Sequence, residues 1–350
     1  MKKGTWHVIG LMSGTSLDGL DIAYIKFTNS DHFFYNIIHA TTLPYSVKWK
    51  TELKNAYHAS AVEITKLNSD YGRFLGESVL TFMSQFAIEK VDFVASHGQT
   101  IFHNPNEGYT LQIGNGATLA ATCRQKVICD FRSQDVALGG QGAPLVPIGD
   151  RLLFNAYDYC INIGGFANIS FENKDERMAF DICPANIVLN TYAEKLGKAF
   201  DENGSIAKNA ILHEGLLDQL NRMDFYQNGK SMGFEIVQKQ VLPLLDSFQL
   251  SPEIIIRTYT EHIAIQIAKH IQANAQVLIT GGGALNHFLM HRIQELAQAK
   301  LVIPDRQLID FKEALIFGLL GLLRNEGEIN CLKSVTFATK NHSSGVVYHP

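Results

Sequence analysis

The chain of 350 residues reads as an α/β protein built from two lobes. Three observations predict this. Apolar runs of strand length alternate with amphipathic segments of helix length, and polar loops sit at the strand ends. The pattern starts twice, at Trp6 and at Tyr159, each time as a strand, a glycine-containing bend and a second strand. A Gly/Pro-rich stretch over 138–147 separates the two starts, and the chain is long enough for a core in each lobe.

In the first lobe, residues 6–11, 22–27 and 33–39 read as strands. Helical periodicity follows over 59–90, with Leu67, Tyr71, Leu75 and Leu80 on one face. A strand at 91–95 runs into Ser96-His97-Gly98-Gln99-Thr100, and one at 127–129 runs into Asp130-Phe131-Arg132. Leu138 to Pro147 reads as the crossing between lobes. This assigns 1–140 with 311–350 to the first lobe and 141–310 to the second. The second lobe opens with strands at 159–163 and 167–171 around Gly164-Gly165, followed by helical segments at 185–196, 206–223 and 252–275. A strand at 276–280 then leads into Gly281-Gly282-Gly283-Ala284 and a helix over 286–297. The last helix, 312–324, is apolar on most sides and is expected to pack back on the first lobe.

Composition narrows the function. Apolar residues make up 46% and charged residues 18%, and the net charge is −4, with no basic run to form a nucleic-acid groove. The longest uncharged apolar stretch, 314–323, is about half a membrane span. The amino terminus shows no signal-peptide core, and the five cysteines are odd in number and widely spaced, so a reduced, cytoplasmic protein without membrane or nucleic-acid partners is expected.

Chemistry concentrates in a few places. Gly10 to Asp21 holds Gly10, Gly14 and Gly19, the hydroxyls of Ser13, Thr15 and Ser16, and the carboxylates of Asp18 and Asp21. Glycines let backbone N–H groups approach an anion and small hydroxyls add donors, as a polyphosphate requires. Carboxylates beside phosphate call for a divalent cation, so a phosphate and Mg²⁺ turn is expected, against the alternative of an ordinary hairpin turn. Gly164-Gly165 is a second such bend, and Gly281-Gly282-Gly283 before a helix resembles a nucleotide loop. Gly229-Lys230-Ser231 is not a P-loop, because Asp224 stands where its first glycine belongs. His287 and His291 have zinc-pair spacing, but Phe288 replaces the glutamate of a metalloprotease and no third ligand is evident. Asp181, between a strand and Pro184-Ala185-Asn186, is either a general base or a helix cap. Arg132 with Asp135 is either a substrate contact or a structural ion pair, and His97 either binds a substrate hydroxyl or satisfies buried backbone.

Taken together these motifs resemble the anhydro-N-acetylmuramic acid kinases, of the actin-like, sugar-kinase and heat-shock ATPase superfamily. The resemblance rests on Met12-Ser-Gly-Thr-Ser-Leu-Asp-Gly19, Ser96-His-Gly-Gln-Thr100, Leu111-Gln-Ile-Gly114, Asp130-Phe-Arg132 with Asp135, Ala137 to Pro147, Asn162-Ile-Gly-Gly165, Gly281-Gly-Gly283 and Glu313 to Phe317. It implies a two-lobed actin-like ATPase (ribonuclease H-like) fold with an interlobe active-site cleft that closes on substrate. It further implies an enzyme that uses ATP, Mg²⁺ and water to open the anhydro bridge of 1,6-anhydro-N-acetylmuramic acid and phosphorylate O6 in cell-wall recycling. Asp181 aligns with the family's base. ATP contacts are then expected from Gly14, Thr15, Ser16, Leu17, Asp18, Gly19, Leu20, Asp21, Gly164, Gly165, Gly281, Gly282 and Gly283. Sugar contacts are expected from His97, Arg132 oriented by Asp135, Asn186 and Glu313, and Asp18 or Asp21 would hold Mg²⁺ through water. A homodimer is expected from the family alone. Alternatives are a kinase of another sugar, or a nucleotide-binding regulatory relative without turnover. The chain departs from the family pattern at Ile182, Cys183, Ala185, Met232 and Phe234, which bears on the base loop and on substrate preference.

Overall fold

The computed structural model describes residues 2–14, 16–30, 33–223 and 232–350. The chain divides into two units, Met1–Leu153 with Phe311–Pro350, and Phe154–Asp310. Leu138 to Pro147 therefore lies inside the first unit, whose first segment runs to Leu153.

The first unit opens with a meander of β1 (Gly4–Ser13), β2 (Gly19–Asn29) and β3 (Phe33–Pro44). Helix Ala61–Gln85 follows, its start fixed by a capping box between Ser60 and Glu63. Its buried face continues from Tyr71 and Leu75 to Val79 and Phe82, whereas Leu80 is 42% exposed. The expected stripe was thus one residue out: a four-residue step from Leu75 lands on Val79, and the extra residue rotates Leu80 to the solvent. Next come β4 (Phe93–Ser96), the hairpin of β5 (Gln99–Asn104) and β6 (Tyr109–Ile113), and β7 (Val127–Cys129).

In the second unit β8 (Tyr159–Ile163), β9 (Phe166–Asn173) and β10 (Glu176–Pro184) form another meander, followed by β11 (Gln276–Thr280) and β12 (Lys300–Val302). The segment expected as one helix over 206–223 is two, Ser205–Asn209 and Glu214–Asn221. His213 caps the second by accepting the Leu216 N–H at Nδ1 (3.0 Å), and Ile211 in the break is 76% exposed. The expected helix over 252–275 ends at Ala268. The chain re-enters the first unit within helix Arg306–Asn325, and β13 (Val346–Tyr348) adds antiparallel to β7.

Both main sheets have one topology. The first runs β13-β7-β4-β1-β2-β3 and the second β10-β9-β8-β11-β12. In each, an antiparallel meander is extended from its first strand by two parallel strands. This doubled order is that of two ribonuclease H-like units, the arrangement of actin-like ATPases. One core lies between the first sheet and helices Ala61–Gln85 and Gly116–Cys123, around Tyr71, Leu75 and Val94. The other packs Ile161, Ile169 and Val277 against Tyr259 and Ile263. No helix among the described residues is long and apolar enough to cross a membrane, and the five cysteines are buried and form no disulfide among the described residues.

Helix Arg306–Asn325 is locked into the first unit by more than apolar contact. Lys312 and Asp150, both buried, pair at 2.8 Å. Removing one partner of a buried pair leaves the other charge desolvated, at about 3–5 kcal/mol. Lys312→Met is therefore expected to lower stability by about that amount in chemical denaturation, and a loss below about 1 kcal/mol would show that water reaches Asp150.

Candidate active site

In the first unit the loop after β1 separates glycines that pack from one that is open. A Cβ on Gly10 would lie 2.1 Å from the Ala314 carbonyl oxygen, and one on Gly19 would lie 2.5 Å from that of Leu43. These two glycines permit backbone contact. Gly14 would meet nothing closer than Ser16 Oγ at 3.7 Å, so its backbone is free for a ligand to approach. Ser16 and Asp18 are exposed, Leu17 takes φ +56° and bonds back to Gly14, and Leu20 is buried in the core with only its backbone at the loop. Thr15 lies outside the described residues. Asp21 accepts the Thr42 hydroxyl at 2.6 Å. Beneath the loop, buried Ser13 bonds Gln99 Oε1 and the Tyr45 hydroxyl, which in turn meets Tyr71 at 2.6 Å. That chain of hydroxyls anchors the loop base to β3, β5 and the long helix.

A second cluster forms at the ends of β4 and β7. His97 Nδ1 lies 2.8 Å from the Gly98 carbonyl, which only an N–H can satisfy, so Nε2 carries the lone pair. Nε2 accepts from Arg132 Nε (3.1 Å) and Nη2 (2.9 Å), while Nη1 donates to the Gly142 carbonyl (2.7 Å). Asp135 does not orient Arg132 directly. Its Oδ2 accepts the Gly142 N–H at 2.7 Å and its Oδ1 the Thr336 hydroxyl at 2.7 Å, so it acts through the Gly142 peptide. The imidazole, which the sequence left ambiguous, is the direct partner of the guanidinium. Lost hydration and then Asp21 raise the Glu313 carboxyl above the usual range, against the pull of Arg132 and Lys312.

Burial and the Arg132 charge hold His97 down to about 3, and burial with Lys269 does the same for His262 in the second unit. Both pKa values fall below the unfolded one. The stability they contribute is present above pH 6.5 and lost as pH falls toward 3, because only the unfolded chain takes up those protons in between. The urea midpoint is expected to drop from pH 7 to pH 5. His97→Gln, which keeps an acceptor for Arg132, should flatten the slope by about 1 kcal/mol per pH unit; an unaltered slope would mean that His97 is protonated in the folded protein.

In the second unit the predicted residues converge. The Gly165 carbonyl accepts N–H groups from Ala185 (2.7 Å) and Ile187 (3.3 Å), and that of Gly164 accepts Asn186 (3.2 Å), so the bend is strapped to the start of helix Asn186–Glu194. Asn186 Nδ2 donates to the Ile163 carbonyl at 3.2 Å. Gly281, at φ +79°, and Gly283 pack on Ile163, whereas Gly282 is open, its nearest neighbour being Asn186 Nδ2 at 4.0 Å. Gly164 and Gly165 also have no close neighbour. Three open glycines and one amide thus surround the end of β8.

Asp181 is not at a helix start. It lies within β10, just before a bulge, and the helix cap position is taken by Ala185. Cross-strand register places Asp181 opposite Asn168, Asn168 opposite Asn162, and Asn162 opposite Thr280. These four form one polar row on the sheet face turned from the Ile161–Ile169 core. Asn162 Oδ1 would touch a Cβ on Gly281 at 2.8 Å, so the row ends at the glycine cluster. The Met232 N–H donates to Asp181 Oδ2 at 2.9 Å, fixing the carboxylate. Asn162, Asn168 and Thr280 were not singled out in the sequence as site residues, because their alignment depends on register. Cys183 is buried, and burial with nearby Asp181 raises its thiol, the opposite of the shift that favours a thiolate nucleophile. Ala185, one of the departures noted in the sequence, has φ −128°, so its methyl group imposes no left-handed strain. Lys230 and Ser231 lie outside the described residues, and Phe234 is 49% exposed.

The family model described as anhydro-N-acetylmuramic acid kinase matches residues 6–350. An anhydro-N-acetylmuramic acid kinase of Vibrio cholerae serotype O1 is 32% identical, covering 98% of each chain. That of Mannheimia succiniciproducens is 33% identical, again covering 98% of each. Among solved structures, a ROK family glucokinase from Streptomyces griseus in complex with glucose and AMPPNP is 12% identical with a TM-score of 0.41, covering 91% of this chain and 99% of that one.

Proposed function

This chain belongs to the anhydro-N-acetylmuramic acid kinase family, and we propose that Asp181 is the base with which it activates water. The enzyme is an ATP-dependent kinase of 1,6-anhydro-N-acetylmuramic acid acting in peptidoglycan recycling. In the reaction the water oxygen bonds to C1 of the sugar and gives its proton to Asp181. The C1–O6 bond breaks, O6 bonds to the γ-phosphorus, and the β–γ bridge opens to release ADP. Attack at C1 comes from the face opposite O6, as in inverting glycosidases, with phosphoryl transfer in the place of a general acid.

The observation that carries this reading is the Asp181 carboxylate at the head of a polar row, fixed by the Met232 N–H. A base needs a set orientation toward one proton, and both features supply it. The open backbones at Gly164, Gly165 and Gly282 are assigned to ATP, with Asn186 on the substrate. In the first unit, the Gly14–Asp21 loop is assigned to phosphates, and Arg132, held by His97 and through Gly142 by Asp135, to the sugar together with Glu313. Asp18 and Asp21 are hard oxygen donors suited to a hydrated Mg²⁺, which neutralises phosphate charge when bound. Buried cysteines without a disulfide between them suit a reducing cytoplasm, and a homodimer follows the family.

Turnover of the anhydro sugar with ATP in ¹⁸O-labelled water tests the assignment. Product mass spectra are expected to show one ¹⁸O at the anomeric hydroxyl of a 6-phosphorylated sugar. Label in the phosphate, or phosphorylation with the anhydro bridge intact, would overturn the coupled mechanism.

A further inference from the structure

In the first unit Asp135, Cys331 and His342 meet, at 0%, 2% and 6% exposure. A carboxylate oxygen, the Cys331 Sγ and a ring nitrogen of His342 all lie within 4.8 Å of one another. The two C-terminal residues are held together by paired backbone bonds, Cys331 N–H to His342 carbonyl (3.0 Å) and His342 N–H to Cys331 carbonyl (3.2 Å). Thr336, from the short helix between them, donates to Asp135 Oδ1. Nearly two hundred residues separate Asp135 from the other two in sequence.

The histidine tautomer makes this cluster unusual. His342 Nδ1 is 3.2 Å from the Lys340 carbonyl oxygen, so the proton belongs on Nδ1 and Nε2 presents its lone pair. That Nε2 is buried without a hydrogen-bond partner and faces Asp135 Oδ1 at 3.6 Å. Two acceptors opposed inside a protein are unfavourable unless a cation lies between them. An imidazole whose other nitrogen is anchored to a backbone carbonyl is the usual arrangement of a metal-ligating histidine. Nitrogen, sulfur and oxygen together suit zinc among the divalent ions. Tetrahedral bonds of about 2.0–2.3 Å set donors about 3.3–3.5 Å apart, close to the observed histidine–carboxylate separation.

We propose that Asp135, Cys331 and His342 form a structural site for a divalent transition metal, zinc by preference. Binding replaces the Cys331 S–H bond by a metal–sulfur bond and releases that proton to solvent. The ion clamps the segment from Cys331 to His342 onto Asp135. Asp135 in turn holds the Gly142 peptide that accepts Arg132, so the site positions a substrate-side cation without touching substrate.

The test uses untagged full-length enzyme exposed to excess zinc and dialysed, with metal measured by elemental mass spectrometry and cobalt as a spectroscopic probe. The expected result is about one zinc per chain and a cobalt–thiolate charge-transfer band that Cys331→Ser abolishes. Zinc content should fall about tenfold or more in Cys331→Ser and His342→Ala, consistent with loss of one of few ligands. Because a variant that unfolds also loses metal, the wild type provides an independent reading: a chelator should lower its Tm by about 5 °C or more and zinc should restore it. Wild-type enzyme holding under a tenth of a zinc per chain, with a Tm indifferent to zinc and chelator, would show that the cluster holds no metal. A cobalt spectrum unchanged by Cys331→Ser would place the metal at another cysteine; either result overturns the proposal.

Discussion

Asp181→Asn is expected to lower kcat for the anhydro sugar by about a thousandfold while ATP binds as in the wild type. General-base catalysis contributes about 10²–10⁴-fold, and an amide of the same shape cannot take the proton of the attacking water. The substitution preserves geometry, because the asparagine Oδ1 still accepts the Met232 N–H that Asp181 Oδ2 accepts at 2.9 Å. Asn162 and Thr280, farther along the row, are not disturbed. In the proposed mechanism water attack and phosphoryl transfer belong to one event, so sugar phosphate and opened sugar should fall by the same factor. ATP affinity should be unchanged in calorimetry with a non-hydrolysable analogue, since the nucleotide is assigned to the Gly164, Gly165 and Gly282 backbones. A kcat within threefold of wild type would remove Asp181 from the role. A collapse of nucleotide binding would make it a structural residue of β10.

Much of this architecture can be read from residue pattern because local preferences and burial agree. Tyr159–Ile163 and Gln276–Thr280 are apolar runs ended by glycines, and both strands occur at the expected residues. Errors arise where one helical step changes the face, as at Leu80 against Val79, or where a capping histidine interrupts an otherwise continuous pattern, as at His213. β13 is not expected: Val346-Val347-Tyr348 favour a strand, but three residues are too short a run to read as one, and they pair with the β7 edge. The site divides in the same way. Glycine loops advertise themselves by composition, whereas the alignment of Asp181, Asn168, Asn162 and Thr280 exists only once four strands are in register. Likewise, Asp135 is the residue the sequence pairs with Arg132, but the partner that orients Arg132 directly comes from another strand end, as His97.

Composition cannot say which glycine of this segment packs and which binds, and substitution of Gly10 within β1 and of Gly14 in the loop after it separates them. Gly10→Ala is expected to destabilise strongly, because its Cβ would lie 2.1 Å from the Ala314 carbonyl oxygen and 3.0 Å from its carbon. Both are backbone atoms of helix Arg306–Asn325, so no rotamer change relieves the overlap, and the helix must lift from β1. That helix is also tied down by the Lys312–Asp150 pair and by Gly318 and Gly321, which approach Ile25 and Ala95 within 3 Å of an added Cβ. Overpacking costs about 1–3 kcal/mol where side chains can yield, and here they cannot, so a loss at or above the upper end is expected in denaturant unfolding. Gly14→Ala meets only Ser16 Oγ at 3.7 Å and should leave stability within about 0.5 kcal/mol. Its methyl group would instead stand where phosphate oxygens approach the backbone. A rise of about tenfold or more in KM for ATP is expected, the equivalent of about 1.4 kcal/mol of lost contact. Equal stability losses at the two positions, or an unaltered KM at Gly14, would mean that this loop is a hairpin turn and that the triphosphate is held elsewhere.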